Sequence, residues 1–397
     1  MAKYVILVLL IETMKLSVHH QTKFPSIKTT IFSQMTALAN ENGAINLSQG
    51  FPDFSCEQSL IKEVEKALKK GHNQYAPMPG VMMLREKIAE LISEFYSANY
   101  NPETEITVTS GATQAIFTAI LSVVRPGDEV IIFDTAYDCY APAVELAGGK
   151  SKHIPLQAPS FSIPWDVVKK FINQNTKLII INTPHNPSGS IFTSADMEKL
   201  QRLLAGTDVL ILSDEVYEHI VFDGYEHQSV ARYPKLAERS FIVSSFGKSF
   251  HTTGWKLGYV AAPESLMTEF RKVHQYNVFS VNTPMQYAFA EILKNRNNLL
   301  ELKDFYQEKR DFFNSGLKGS SFDILPSQGT YFQNIGYKKI SEEQDLDFAI
   351  RLTKEHKVAS IPLSVFYTDK ADVRLLRFCF AKSKDTLEKA LSILCKI

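Results

Sequence analysis

The chain has 397 residues, 45% of them hydrophobic, and its 43 basic and 43 acidic side chains give a formal net charge of zero. This length and composition are typical of a globular protein with room for two domains, and the lack of a long basic block disfavours nucleic acid as a partner. The four cysteines are too far apart to pair as metal ligands and too few for a disulfide scaffold, so we predict no metal site and a reducing compartment.

The N-terminus contains an apolar run, Tyr4–Ile11, behind a single lysine. The run could be a weak signal-peptide core, but it lacks a small-residue cleavage site and is too short to span a bilayer. We favour an N-terminal extension over residues 1–28, in which Met14 offers an alternative start. No other run approaches membrane length, so we predict a cytoplasmic protein without a membrane partner.

Residues 29–96 predict helices separated by turn-rich loops. The spacing of apolar residues predicts helices over Thr29–Asn40, Ser59–Lys70 and Val81–Tyr96. The intervening segments INLSQGFPDF (45–54) and NQYAPMPG (73–80) contain the glycine and proline residues that are common in turns.

Between residues 105 and 262, short apolar runs alternate with helical segments. Several of these runs are apolar throughout, as expected for strands that are covered on both faces, and this predicts a mostly parallel sheet in an α/β domain. Ligands of such sheets bind at the carboxyl ends of the strands. We predict strands over Ile106–Thr109, Val130–Phe133, Leu178–Asn182, Val209–Ser213, Phe241–Ser245 and Tyr259–Ala262.

The region after Asn282 has a mixed order of elements, which predicts a smaller α+β domain packed closely on the first. It begins with a long helical region that runs to about Lys318. The predicted strands are Phe322–Leu325, Tyr331–Ile335 and Leu375–Cys379, and the predicted helices are Glu342–His356 and Lys384–Cys395.

Two motifs at the ends of predicted strands could bind a ligand. SGAT (110–113) precedes a helix expected to start near Gln114, whose free N–H groups favour an anion, although an ordinary helix cap explains the motif equally well. NTPHNPSG (182–189) places Asn182 and Asn186 in a rigid loop at a strand end, with plain turn chemistry as the alternative.

A third motif, SDEVYEH (213–219), places a carboxylate at a strand tip. Asp214 would be partly buried there, which is costly unless a cation or a donor pairs with it. A helical turn would bring the Tyr217 hydroxyl near Asp214. Locally, a helix-capping aspartate is a strong alternative.

Lys248 lies between small residues in SSFGKSFHTTGWKLG (244–258). The tripeptide that contains it ends like a phosphate-binding P-loop, but Ile242 occupies the position of the first glycine of that motif. Ser245 and Lys256 flank Lys248 and could hold an anion. A neighbouring cation and partial burial lower the pKa of a lysine and favour imine formation with a carbonyl. A solvated charge is the remaining alternative.

Arg377 lies inside the strand-like run RFCFAK (377–382). A buried guanidinium can bind a carboxylate with two parallel hydrogen bonds, although on this motif alone a structural ion pair is favoured. Taken together, the motifs combine phosphate donors, an imine lysine, an acid, a phenol and a carboxylate clamp, as one cofactor site requires.

From about Ile31 to the C-terminus, the order of these motifs resembles that of the class I, fold-type-I aminotransferases, which use pyridoxal phosphate. NLSQGFPDF, NQYAPMPG, SDEVYEHI, SSFGKSFHTTGWKLGY and IPLSVFY are similar to segments of the methionine and kynurenine/glutamine aminotransferases. The resemblance implies an α/β fold with a mostly parallel mixed sheet, covered by helices, in a large cofactor-binding domain (56–295). Residues 29–55, as an N-terminal arm, and 296–397 would form a smaller α+β domain. It also implies a homodimer with active sites at the interface.

The resemblance also implies roles at the cofactor ring. Lys248 would form the internal aldimine with pyridoxal phosphate and move the proton between the substrate Cα and the cofactor C4′. Asp214 would pair with the pyridinium nitrogen and so keep the ring an electron sink. Tyr217 and Asn186 would bond the phenolic oxygen of the ring, and Tyr137 would stack on its face.

The cofactor phosphate would be held by the backbone of Ala112 and Thr113, by Ser245 and Lys256, and by the partner subunit's Tyr75. These assignments follow from the resemblance of the motifs.

For the substrate, the resemblance implies that Arg377 clamps the α-carboxylate. Asn186 and the backbone of Gly50 would assist, and Asn182 would support the loop.

Substrate preference depends on the segment HQYNVFSVNTP (274–284). Aspartate aminotransferases often have a second arginine there, whereas this chain has Phe279 and no arginine. An aromatic wall disfavours an acidic side chain, so we expect neutral substrates: methionine, aromatic amino acids, glutamine or kynurenine. The partner subunit's Phe279, with Tyr331 and Phe366, are candidate pocket residues, and core packing is the alternative role for them.

The predicted activity is therefore a ping-pong transaminase (EC 2.6.1.-). A cysteine-conjugate β-lyase using the same site is the first alternative. A non-catalytic pyridoxal-phosphate module, as in fused transcription regulators, is the second, and it is disfavoured because the two domains fill the chain. A P-loop phosphotransferase is weakened by Ile242.

Overall fold

The computed structural model describes residues 22–24 and 29–397. Apart from residues 22–24, the predicted N-terminal extension lies outside the described residues, and so does its apolar run. Residues 31–397 form one contact unit, to which the following description refers. The domain boundaries after residues 55 and 295 stay a prediction.

Helices and strands alternate along most of this unit. The helices in chain order are α1 (Ile31–Glu41), α2 (Gln58–Lys69), α3 (Met82–Tyr96), α4 (Gly111–Val123), α5 (Tyr140–Leu146), α6 (Trp165–Phe171), α7 (Ser194–Leu204), α8 (Pro234–Ala237), α9 (Phe246–Ser249), α10 (Glu264–Asn277), α11 (Thr283–Ile292), α12 (Asn297–Leu300), α13 (Leu302–Leu317), α14 (Asp345–Glu355) and α15 (Lys384–Leu394).

The strands in chain order are β1 (Ile45–Asn46), β2 (Ile106–Thr109), β3 (Glu129–Asp134), β4 (Lys150–Pro155), β5 (Thr176–Asn182), β6 (Leu210–Asp214), β7 (Ser240–Ser245), β8 (Gly258–Ala261), β9 (Asp323–Ile324), β10 (Phe332–Gly336), β11 (Val358–Ala359), β12 (Ile361–Pro362) and β13 (Leu375–Cys379).

The main sheet has seven strands in the order β2-β8-β7-β6-β5-β3-β4. Strands β3 to β7 run parallel, whereas β8 is antiparallel to both β7 and β2. The prediction of a mostly parallel mixed sheet is therefore confirmed. The carboxyl ends of β5, β6 and β7 lie side by side, because parallel neighbours end at the same edge.

Central strands are apolar because both of their faces are covered. In β5, Ile179 packs in one apolar cluster with Met197 of α7, and the adjacent Ile180 packs in the other with Ile116 of α4. Burying an isoleucine side chain contributes about 1.5–3 kcal/mol. This packing fixes the end of β5, and with it Asn182, against the rest of the sheet.

A second, four-stranded sheet has the order β12-β13-β10-β9, and β1 pairs with β11 in parallel. In the second sheet, Arg377 of β13 is opposite Asn334 of β10 and Ile361 of β12. The backbone N–H of Cys379 donates to the carbonyl of Leu47 at 2.8 Å. The N-terminal segment therefore lies beside the C-terminal strand that carries Arg377.

The structure divides one predicted helical region and adds four strands that were not predicted, β1, β4, β11 and β12. The long helical region expected from Asn282 to about Lys318 consists of three helices, α11, α12 and α13, and in the turn between the first two the Asn295 side chain accepts from the backbone N–H of Asn297. Strand β4 was not predicted, since its sequence KSKHIP is mostly polar and it lies at the sheet edge.

Among residues 22–24 and 29–397, no helix is long and apolar enough to cross a bilayer. In the same ranges, no group of three or more histidine, cysteine, aspartate or glutamate residues could hold a metal ion. The four cysteines are unpaired. The cytoplasmic location stays a prediction.

Candidate active site

A cavity of about 160 Å³ lies at the carboxyl ends of β5, β6 and β7, beside the start of α4. This is the edge of a parallel sheet where ligands are expected. Many of the predicted site residues line it, namely Ala112, Thr113, Tyr137, Asn182, Asn186, Asp214, Tyr217, Ser245, Lys248 and Lys256.

One end of the cavity is an anion-binding arrangement. Helix α4 begins at Gly111, earlier than the predicted start near Gln114, so Ala112 and Thr113 lie in its first turn, where N–H groups have no helical acceptor. The Ser110 side chain makes no capping hydrogen bond, so the ordinary cap is not observed. The first turn therefore leaves free donors directed at the cavity.

Lys256 adds a cation to this end. A Cβ atom at Gly111 would lie 3.3 Å from Lys256 Cε and 3.4 Å from Nζ, so the lysine packs against the bare backbone of the glycine. The φ angle of Gly111 is +75°, a conformation that favours glycine. Among the ion pairs of the described residues, none involves Lys256, and its charge is available to a ligand.

Lys248 lies on the single turn α9, directly after β7. Its Nζ donates to the Tyr331 hydroxyl at 3.1 Å and lies 5.6 Å from the ring centroid of Tyr217. Burial lowers the pKa of Lys248 to about 8. A larger fraction of the amine is therefore neutral and nucleophilic at neutral pH than for an exposed lysine.

Asp214 ends β6 and is buried. Its Oδ2 accepts from the Tyr140 hydroxyl at 2.5 Å, and its backbone carbonyl accepts from Asn182 Nδ2 at 2.8 Å. Burial raises the pKa of Asp214 to about 6, and the hydrogen bond from Tyr140 opposes that rise. In the described ranges no cation forms an ion pair with Asp214, so a cationic ligand would gain a desolvated partner.

The helical turn expected to bring the Tyr217 hydroxyl near Asp214 is not observed. The residues after Asp214 form a turn, not a helix, and the phenol that reaches the carboxylate is Tyr140. The Tyr217 ring meets Tyr331 edge-on at 5.1 Å. Tyr140 was missed although it lies three positions after the predicted Tyr137, because its partner is 74 positions away.

Arg377 is buried behind the cavity. Its Nη1 donates to Asn186 Oδ1 at 2.7 Å and its Nη2 to the Ser48 carbonyl at 3.2 Å, while Nε has no partner. The guanidinium lies 3.9 Å from the ring centroid of Phe332. Among the described residues no carboxylate forms an ion pair with Arg377, so the structural ion pair that this motif alone favoured is not observed.

The loops around Arg377 are held tightly. The backbone N–H of Asn186 donates to Asn182 Oδ1 at 2.8 Å. A Cβ atom at Gly50 would lie 2.7 Å from Phe332 Cζ, and the Gly50 carbonyl accepts from Tyr331. Burial lowers the pKa of Arg377 to about 10, so it stays charged at neutral pH and suits an incoming carboxylate.

The predicted pocket residues divide into two groups. Tyr331 and Phe366 are buried near Arg377, whose guanidinium lies 5.1 Å from the Phe366 ring centroid. Tyr75 and Phe279 are 81% and 42% exposed and contact each other edge-on at 5.2 Å, and neither lines the cavity.

Further lining residues were not predicted, namely Gly111, Ile116, Val216, Gly247 and Thr253. Most of them lie within the quoted motifs. Their closeness in sequence to Lys248 or to the start of α4 was therefore the signal that could have identified them.

Comparison with known proteins identifies the family. The sequence pattern of the family "Aminotransferase class I and II" matches residues 42–394. The chain belongs to the class I and II aminotransferases.

Relatives support this assignment along the whole match. The methionine aminotransferase of Escherichia coli strain K12 is 48% identical over 368 residues, which cover 92% of this chain and 95% of that protein. Kynurenine–oxoglutarate transaminase 1 of Mus musculus is 33% identical over 398 residues, covering 91% and 94% of the two chains.

A solved Escherichia coli structure, described as having a methionine aminotransferase function, is also similar. Its TM-score is 0.94 at 47% identity, and the match covers 96% of this chain and all of that one. The predicted family, the transaminase class (EC 2.6.1.-) and the fold-type-I α/β architecture of this aminotransferase are confirmed. The β-lyase alternative gains no support from these findings.

Proposed function

We propose that this aminotransferase binds pyridoxal phosphate and moves the α-amino group of a neutral amino acid to a 2-oxo acid by a ping-pong mechanism. The proposal depends chiefly on one observation. A single cavity combines an amine of lowered pKa, a carboxyl of raised pKa and a cationic anion site, in Lys248, Asp214 and Lys256.

The anion site fits the cofactor phosphate. The first turn of α4 supplies free N–H groups, Lys256 supplies charge, and Ser245 and Thr253 line the same cavity and carry hydroxyls. The close fit of Lys256 against Gly111 keeps this charge near the helix start. A phosphate dianion would therefore meet donors on several sides.

The middle of the cavity fits the cofactor ring. Asp214 would bind the protonated ring nitrogen, and that cation would lower the raised pKa of the carboxyl. Tyr217 and Asn186 line the side on which a phenolic oxygen would be bonded, and Tyr137 offers a ring for stacking. When bound, pyridoxal phosphate supplies an electron sink for negative charge at the substrate Cα.

The chain itself would bind the substrate and move its proton. Arg377 and Asn186 would hold the α-carboxylate. The Nε of Arg377 has no hydrogen-bond partner among the described residues, which supports a role in binding this carboxylate. Lys248, with its pKa near 8, would bind the cofactor and then take and return the proton at the substrate Cα.

A homodimer would complete the site. Tyr75, Tyr276 and Phe279 are exposed on the described chain, and such aromatic surface favours association. In this proposal the partner subunit's Tyr75 reaches the phosphate and the partner subunit's Phe279 closes the side-chain pocket. The pocket would then be aromatic, with Phe366 near Arg377 on the opposite side.

Methionine is the first substrate to test, since a 48% identical relative is a methionine aminotransferase and a kynurenine transaminase is also similar. The experiment is a half-reaction screen in which each amino acid is added without an acceptor and the visible absorbance of the bound cofactor is followed. Methionine, aromatic amino acids, glutamine or kynurenine should convert it, and aspartate should not.

Lys248→Ala should abolish both turnover and the visible absorbance. The matched control is Lys272→Ala, because Lys272 is exposed and pairs only with Glu269 at 2.6 Å among the described residues. Transamination retained by Lys248→Ala would contradict the assignment. Pyruvate release from a cysteine conjugate without any acceptor would point to the lyase.

A further inference from the structure

Tyr331 lies between the predicted catalytic lysine and the loop that carries Gly50. It directly precedes β10 and is fully buried. Its hydroxyl donates to the Gly50 carbonyl oxygen at 2.5 Å and lies 3.1 Å from Lys248 Nζ. A wall of the side-chain pocket, the role predicted for Tyr331, does not require either polar contact.

The number of protons fixes the direction of these two hydrogen bonds. A phenol has one proton and a carbonyl oxygen can only accept, so the Tyr331 proton points to Gly50. Burial raises the pKa of Tyr331 well above its ordinary value, and the hydroxyl stays protonated at neutral pH. Its lone pairs are therefore left to accept from Lys248.

Lys248 needs this acceptor. A buried amine without a hydrogen-bond partner is unfavourable, and more so when it is charged. Within the described ranges, the Tyr331 hydroxyl is the acceptor found for Lys248 Nζ, and no carboxylate forms an ion pair with it. The position of the free amine therefore depends on Tyr331.

The loop on the other side of Tyr331 reaches the predicted carboxylate site. The carbonyl of Ser48 accepts from Arg377 Nη2 at 3.2 Å, and the carbonyl of Gly50, two residues on, accepts from Tyr331. Gly50 is in close contact with Phe332, since a Cβ atom there would lie 2.7 Å from that ring. Residues 48–50 thus connect the guanidinium to the tyrosine.

We propose that Tyr331 is a positioning residue for Lys248: its hydroxyl holds the free amine and ties it to the loop that contacts Arg377. This rests on the proposed function, in which Lys248 moves the proton at the substrate Cα. A carboxylate bound at Arg377 steadies the loop, and the loop steadies Tyr331 and the amine. The amine then meets the substrate in fewer orientations.

The first test measures the reactivity of Lys248 toward acetic anhydride in the full-length protein freed of cofactor. The extent of reaction is read across pH by mass spectrometry of the peptide that contains Lys248. Tyr331→Phe removes an acceptor that favours the ammonium, so the midpoint should move to lower pH and the reaction at neutral pH should be about three- to tenfold faster.

The matched control is Tyr306→Phe. Tyr306 is fully buried, its ring centroid is 5.6 Å from that of Tyr331, and its hydroxyl has no hydrogen-bond partner. This variant removes the same atom without removing a hydrogen bond, so the Lys248 profile should match that of the wild type.

A second measurement uses the holoenzyme. Tyr331→Phe should retain the visible absorbance of the bound cofactor, whereas the first half-reaction at saturating methionine should slow by about tenfold and KM should change less. Thermal unfolding of both tyrosine variants checks that they are folded.

The outcomes separate the two proposals. The role of Tyr331 would be overturned if the pH profile of the reaction of Lys248 with acetic anhydride were identical in Tyr331→Phe and Tyr306→Phe. Transamination by Lys248→Ala would overturn the proposed function, and with it the catalytic purpose of the hydrogen bond, even if the profile shifts. A shifted profile together with a slower half-reaction supports the proposal.

Discussion

Burial moves the pKa of three charged side chains in the site, and each change suits a partner that cofactor or substrate would bring. The pKa of Lys248 falls to about 8, that of Arg377 falls to about 10 and that of Asp214 rises to about 6. Desolvation disfavours the charged form in every case. A carboxylate at Arg377 or a cation at Asp214 would therefore recover part of that cost.

Arg377→Ala should weaken binding of the substrate carboxylate by about 2–5 kcal/mol, because it removes a desolvated charge partner. The comparison that isolates this effect uses methionine and its decarboxylated amine, 3-(methylthio)propylamine. Wild type should bind methionine far better than the amine, and Arg377→Ala should bind the two alike. An equal loss of affinity for both compounds would assign Arg377 to structure alone.

As the pH is lowered, Tyr140→Phe should lose affinity for the cofactor at a higher pH than the wild type does. The Tyr140 hydroxyl donates to ionised Asp214 and opposes the rise in the pKa of that carboxyl, so its removal raises the pKa further. In the proposed function the ionised form of Asp214 binds the ring cation, and this form is lost as pH falls through the pKa of Asp214. The affinity profile for pyridoxal phosphate should therefore move up by roughly 0.5–1 pH unit.

The control for Tyr140→Phe is Tyr100→Phe, since the buried Tyr100 hydroxyl has no hydrogen-bond partner. Its profile should coincide with that of the wild type. A Tyr140→Phe profile with the same midpoint would show that the hydroxyl does not act through Asp214.

Sequence alone could identify the residues that carry charge but not all of their partners. Asp214, Lys248 and Lys256 were predicted because they belong to short motifs at strand ends, and they line one cavity. The Tyr140 hydrogen bond joins residues 74 positions apart and could not be read from local spacing. Tyr217 was expected near Asp214 because a helical turn was assumed where the chain forms an irregular turn.

At the scale of elements, the start of α4 depends on a glycine. Gly111 has a φ of +75° and lies against the Lys256 side chain. The first turn of α4 and Lys256 can approach the same phosphate only if no side chain at position 111 displaces the lysine. In the proposed function the helix, the glycine and the lysine act as one anion-binding unit.

Gly111→Ala should weaken cofactor binding, and Gly206→Ala is its control. Both glycines have a φ of +75°, a conformation in which alanine costs about 1–2 kcal/mol of folding free energy. A Cβ atom at Gly111 would lie 3.3 Å from Lys256 Cε, whereas at Gly206 it would meet nothing within 4 Å. Pyridoxal phosphate titration should show a loss only for Gly111→Ala, and equal affinity of both variants would contradict the role of this contact.

The accuracy of the predicted elements follows from their burial. The strands β5 and β7 were recognised because both of their faces are covered, so their central positions are apolar. Strand β4 is exposed at the sheet edge and carries polar residues, which removes the signal. The break between α11 and α12 contains a local hydrogen bond from the Asn297 backbone to the Asn295 side chain, whereas the apolar spacing continues across it.

At the scale of the whole molecule, the aromatic surface formed by Tyr75, Tyr276 and Phe279 is exposed, with Tyr276 at 91%. Exposed aromatic clusters of this kind favour protein contacts. A two-fold dimer buries the same surface of both copies, so each subunit could complete the site of the other.

Mixing two inactive variants tests this assembly. Lys248→Ala removes the lysine, and Tyr75→Ala removes the phenol that the partner site is proposed to use. In a hybrid dimer, one site receives Lys248 from one subunit and Tyr75 from the other, so an equal mixture should recover roughly a quarter of wild-type activity at limiting cofactor. If Tyr75 acts within its own subunit, the mixture should recover only the average of its two parents.

The hydrogen bond between Arg377 and the Ser48 carbonyl spans 329 positions of the chain. All strands of the seven-stranded sheet lie between residues 106 and 261. During synthesis they therefore emerge from the ribosome well before β13. The part of the cavity that contains Lys248, Asp214 and the proposed anion site can therefore fold before Arg377 leaves the ribosome. Because long-range contacts form slowly and parts of a chain fold as they emerge, we expect the proposed substrate site at Arg377 to form last, after the proposed scaffold for the cofactor.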